Sequence, residues 1–313
     1  MNKYFALSDR DHGVDSMEQI KSQKALVALI EDVQKHKDEL GIDGTFPPCA
    51  FAQNCDEQWK TYMLAMPVYY ESRDKGVRTL FDFDFKYEKN TKTLYDTIFA
   101  NSTVTPDQFG STDTRTSIGS FVNYKSAMTF YLQIVRGSFI RRNNFDEATV
   151  KSFIKEDEMG IIPIYFGHDE EAKQNIAIGH GWVYSVNKNA GEKQKKYAKE
   201  FIDWMVFSKT GKKHMKDMGY LLPYKSKTKE DFPPEPIDQE IYDYVHNSDL
   251  DTLDFGYRVV PNGPFRNNLS AELLKYANGE SSWDDVKKLL VEGWKKANGM
   301  NEKNIRKMFA DIL

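Results

Sequence analysis

Apolar and polar positions along this chain follow mainly a helical period, interrupted by short apolar runs. Between 16 and 40, Ile20, Ala25, Leu26, Leu29, Ile30 and Val33 recur at three- and four-residue steps, and Gly41 follows. That spacing lines up one face of a helix and predicts a single element. The same period predicts helices over 57–70 (Trp59, Tyr62, Met63, Met66), 87–100 (Leu94, Tyr95, Ile98, Phe99) and 145–155. It continues over 191–208 (Tyr197, Phe201, Trp204, Met205), in a helix stopping near Gly219, and over 238–246 and 266–277. A last helix puts Trp283, Val286, Leu289, Leu290, Trp294 and Ala297 on one face, with Ser281 three residues before Asp284 as its expected cap. Dense apolar runs at 127–135, 160–166 and 176–186 predict buried strands. Residues 45–52 with Pro47-Pro48, 102–117 and the Pro-rich stretch 232–236 read as loops, and 74–85 is ambiguous. Strands alternating with helices predict an α/β fold, and no internal repeat is visible.

Composition narrows this picture. At 313 residues, 40% hydrophobic and 13% aromatic, the chain can bury the cores of two domains. Its 43 basic and 47 acidic residues, net charge -4, are interspersed, and the lysine-rich stretches near 193–196 and 212–213 read as solvated helix faces. No basic block marks a nucleic-acid surface. No apolar run approaches the ~18 to 20 residues of a membrane span, and the first fifteen residues or so have no signal-peptide pattern.

Candidate chemistry is sparse. A Gly-x-Ser-x-Gly elbow, a phosphate loop and a His-Glu-x-x-His helix are all missing. Histidines 12, 36, 168, 180, 214 and 246 are scattered, with no metal-ligand spacing between any two, so no metal or other cofactor is expected. Cys49 and Cys55 could close a small disulfide loop or be two separate thiols. In Phe81-Asp82-Phe83-Asp84-Phe85, strand alternation would put both carboxylates on one face and the phenyl rings on the other. This is either a half-buried edge or a catalytic acid pair. Trp204, Trp283 and Trp294 lie on apolar helical stripes and are expected in the core.

Four segments in order resemble the family 1 extracellular solute-binding proteins, the group containing maltose- and multiple-sugar-binding proteins. Residues 121–128, FVNYKSAM, are similar to the family's F-x-x-G-K-x-A-M, with Tyr124 in place of its glycine. Residues 179–188, GHGWVYSVNK, resemble the glycine-rich strand that returns the chain to the first lobe. YAKEFIDWM at 197–205, then 208–211, then GYLLP at 219–223, resemble A-K-E-F-L-x-W-L … S-x-E-G-Q … G-x-x-P. Residues 269–297 resemble the family's usual ending, S-x-D-x-V-x-x-x-L-x-x-x-W.

The resemblance implies a two-lobed α/β fold of the periplasmic-binding-protein type II. Residues 1–178 and 237–313 would form the second lobe, and 179–236 a remnant of an incomplete first lobe, because Met1-Asn2-Lys3-Tyr4-Phe5 is similar to a family segment that follows most of that lobe. The remnant would expose apolar surface. The implied function is non-catalytic capture of a carbohydrate, an oligosaccharide in particular, by an extracellular, lipid-anchored, monomeric protein serving the permease subunits of an ABC transporter. Aromatic platforms and planar hydrogen-bonding groups suit sugars. The candidate binding residues are Trp59, Gln133, Trp182, Asn262, Phe265 and Arg266. Each also has a plain reading as a core or buried polar residue. A glycan-active hydrolase is the alternative, and with half a clamshell missing, weak or unmeasurable binding is expected.

Overall fold

The computed structural model describes residues 1–11, 14–51, 62–77, 80, 82–130, 135–168, 171–178, 184–218, 220, 228–254, 260–261 and 264–298. The helix expected over 16–40 is divided. After a 3-10 turn at Met17–Gln19 comes α1, Gln23–Lys35, where Ser22 Oγ accepts from Ala25 N–H at 3.1 Å. That side-chain acceptor satisfies a donor with no partner inside the helix, so α1 starts there. Leu26, Leu29, Ile30 and Val33 face inward as the period requires. A short turn, Lys37–Leu40, ends on Gly41 at φ 71°, and Ile42 N–H returns to Lys37 O at 3.0 Å. A residue with a Cβ resists that left-handed stop.

Beyond it, three segments run side by side and parallel. Phe46 N–H donates to Asn101 O (2.9 Å) and Thr103 N–H to Phe46 O (2.8 Å), while Met128 N–H donates to Thr45 O (2.9 Å). The bridges are Gly44↔Ser126 and Phe46↔Ser102. A Cβ on Gly44 would stand 2.7 Å from the Ser102 carbonyl, so the close approach needs glycine. Helices α2 (Ala65–Asp74), α3 (Glu88–Ala100), α4 (Thr114–Val122) and α5 (Val135–Asn143) surround this strip. The strand expected over 127–135 is corrected: 127–130 follow the bridge without regular pairing, and Val135 opens a helix. Residues 160–166 are extended but form no ladder. The helix foreseen over 145–155 shrinks to Glu147–Lys151.

Two strands are described, β1 (Gln174–Ile178) and β2 (Asp251–Asp254), paired parallel. The described residues are thus mostly helical, with a smaller strand content than the α/β expectation. Helices α6 (Glu192–Phe207) and α7 (Lys209–Asp217) pack against each other around Met205 and Met215. Then come α8 (Pro236–Val245), α9 (Pro264–Ala277) and α10 (Trp283–Lys288), the last continuing through a π-helical turn, Leu289–Gly293. The cap of α10 is Ser282, paired reciprocally with Asp285, one residue later than the Ser281–Asp284 expectation.

The main core is aromatic. Trp294 is fully buried, 4.7 Å from the Phe83 ring centre, and its indole N–H donates to Leu80 O at 2.9 Å. Trp283 is buried beside Phe85 and Tyr95. The expectation that Trp204 is core is corrected. Tyr197, Phe201, Trp204 and Phe207 on α6 are 56, 58, 43 and 67% exposed. Their spacing is helical, but no described element covers that face. Among the described residues, no helix is long and apolar enough to cross a membrane.

Candidate functional site

Four of the six sugar-site candidates, Trp59, Gln133, Trp182 and Asn262, lie outside the described residues, as does Cys55. The other two open α9. Phe265 is buried, meets Trp294 edge-on (5.8 Å, 89°) and rests on Gly293, where an added Cβ would come within 3.3 Å of the ring. Phe265 thus packs α9 against Trp294 and Gly293. Arg266 donates from Nε to Pro261 O (2.8 Å) and from Nη2 to Val260 O (3.0 Å). Its fixed fork of donors therefore holds the backbone carbonyls of Val260 and Pro261.

The Phe-Asp alternation resolves as the half-buried edge. Phe83 and Phe85 are buried, while Asp82 and Asp84 point outward to Lys295 (3.6 Å) and Lys75 (2.7 Å). Beneath them the buried Glu71 carboxylate accepts from Asp84 N–H (2.7 Å), Lys86 N–H (3.0 Å) and Lys75 Nζ (2.7 Å). Three donors satisfy its lone pairs, and Glu71 thereby holds the turn in which Phe85 adopts φ 56°. Cys49 is buried, and desolvation pushes its thiol up, so it carries no thiolate chemistry.

Three arrangements in the structure were not read from the sequence. The first is a groove of about 590 Å³ between the parallel strip and α9. Phe99, Val104 and Ala277 supply its apolar wall, and Gln34, Asp43, Asp96, Thr103 and Tyr276 its polar rim. Tyr276 Oη donates to Asp96 Oδ1 at 2.6 Å, and Lys92 reaches Asp96 at 2.5 Å and stands 5.5 Å from the Tyr276 ring centre. Mixed apolar and hydroxyl-compatible lining of this kind can hold a polyol. Its residues come from four separate stretches, so no local pattern betrayed it.

The second arrangement is a carboxyl on α8. Asp238 is buried and its pKa is pushed up to about 7, first by desolvation and then by Glu156 and Glu235. Its Oδ1 meets no donor among the described residues. Arg136 is 3.2 Å from Glu156. The third is Asp9, His36 and Glu39, whose donor atoms lie within 4.8 Å of one another. The available signal was His36-x-x-Glu39, one helical turn, but only His–His spacings had pointed to ligands.

No family model and no curated protein matches this sequence. Among solved structures the fold is similar to that of a chitin oligosaccharide binding protein, with a TM-score of 0.65 and 15% identity. The match covers 95% of this chain and 68% of that one. At such identity the likeness speaks to the fold alone.

Proposed function

We propose that this chain is a non-catalytic carbohydrate-binding protein that captures an oligosaccharide outside the cell for an ABC importer. The observation carrying the reading is the fold likeness, over nearly the whole chain, to a protein that binds chitin oligosaccharides. The ordered sequence resemblance to sugar-capturing solute-binding proteins supports it independently. A non-catalytic role is supported by Asp82 and Asp84, the one carboxylate pair the sequence offered for hydrolysis. Both are exposed and paired with lysines. In this reading the exposed aromatic row of α6 is a face that packs on another surface.

Closure around a ligand needs contacts from both lobes, and at about 1 kcal/mol per net hydrogen bond, losing three contacts weakens binding about 100-fold. Titration of the chain with chitin and malto-oligosaccharides is expected to show weak binding, with a Kd of roughly 1 mM. Trp59→Ala and Trp182→Ala should each reduce it. Failure of every oligosaccharide to bind would overturn the reading.

A further inference from the structure

We propose that Asp9, His36 and Glu39 form a binding site for a divalent transition metal of the zinc type. The donor set is one imidazole nitrogen and two carboxylates, which suits zinc with a fourth position left to water. One donor atom from each residue falls within 4.8 Å of the other two. His36 Nδ1 and Glu39 Oε1 are already 3.1 Å apart. Ligands at 2.0–2.1 Å around a tetrahedral zinc stand ~3.3 Å from each other, so this edge needs almost no adjustment. Asp9 then has up to about 1.5 Å to travel, on an exposed side chain of the N-terminal segment.

The surroundings of His36 support ligation independently of that geometry. The ring is buried, and its other nitrogen, Nε2, lies 3.8 Å from Asp32 Oδ1. Asp32 is itself buried and fixed, accepting on Oδ2 from Tyr4 Oη (2.6 Å) and from Asp11 N–H (3.2 Å). At 3.8 Å this pair is within ion-pair reach but is not hydrogen-bonded, and a shortening on metal binding would give the carboxylate support that orients a ligating histidine. The neighbouring cations do not compete for the ligand carboxylates: Lys35 pairs with Asp11 (2.5 Å) and Arg10 with Asp15 (3.0 Å). An ion here would tie the segment around Asp9 to the end of α1. The step is simple coordination, in which the metal takes the place of the proton shared between His36 Nδ1 and Glu39.

The experiment is calorimetric titration of the chelator-treated full chain with zinc chloride, with thermal melts in the same buffers. Wild type is expected to bind about one equivalent and to melt at higher temperature with zinc present. Asp9→Asn, Glu39→Gln and His36→Gln should each weaken binding about tenfold or more and abolish the zinc-dependent shift. The first two side chains are exposed, so these variants decide the matter even if His36→Gln unfolds. No binding by wild type at roughly 100 μM zinc, or binding that persists in Asp9→Asn and Glu39→Gln, overturns the proposal. The result does not depend on whether the chain binds sugar.

Discussion

Helices α10 and α6 carry the same kinds of residue at the same spacing and meet opposite fates. On α10 and its continuation Trp283, Val286, Leu290 and Trp294 are all buried. On α6 Tyr197, Phe201, Trp204 and Phe207 face outward, with Phe201 and Trp204 stacked on each other at 5.8 Å. A fully buried side chain of this size stabilises a fold by ~1.5–3 kcal/mol relative to leaving it exposed. The first row contributes that to this chain and the second does not. An amphipathic period states that a face requires a partner; it does not supply one. A contiguous exposed aromatic row of this kind marks an interaction surface.

The comparison breaks first at Trp294. Its truncation in Trp294→Ala removes the centre of the Phe83–Phe265 cluster and the Leu80 carbonyl's indole donor. A loss of about 3–5 kcal/mol in urea unfolding is expected. A loss under about 1 kcal/mol would show that this core is no better packed than the α6 face.

Between the extremes sits α8, half-buried and carrying a carboxyl in an apolar setting. Asp238 has a folded pKa of about 7, against about 3.9 in an unfolded chain. Between those values the unfolded chain releases the proton while the folded one keeps it. The stability tied to the protonated group is therefore complete below about pH 4 and lost as pH rises through 7. Asp238→Asn should consequently be more stable than wild type by about 1–3 kcal/mol at pH 8, with the advantage shrinking toward pH 4. Unfolding curves across that range test it, and a pH-independent difference would contradict the burial argument.

The smallest effect is expected on α6. Phe201→Gln combined with Trp204→Gln should change stability by no more than about 0.5 kcal/mol while reducing self-association in sedimentation. A large destabilisation would mean that the row is already covered in solution.

Particular residues show how far the site could be read. Arg266 stands out in the sequence by its place in a loop before a helix, and in the structure its guanidinium binds the Val260 and Pro261 carbonyls. Phe265 sits at the same junction and is buried against Trp294, a burial that a loop-helix boundary does not reveal. The groove beside Tyr276 was invisible, since Gln34, Asp96 and Thr103 meet only after the parallel strip has formed. His36 and Glu39 were close enough in sequence to be noticed, but Asp9 and Asp32 give that spacing its meaning only in three dimensions.

The amino-acid order by itself determined the helices: α1, α3, α6, α8, α9 and α10 each begin within a few residues of where periodicity and capping place them, or within the longer stretch it marks. Helical hydrogen bonds link residues four apart, so their information is local. The inward Phe83 and Phe85 with outward Asp82 and Asp84 were legible because alternation between neighbouring residues is also local. Tertiary structure alone decided that β1 pairs with the short acidic β2, that 127–130 remain irregular, and that Trp294 is buried while Trp204 is not. Strand pairing and burial depend on segments distant in sequence, and no window of neighbouring residues contains the partner that settles them.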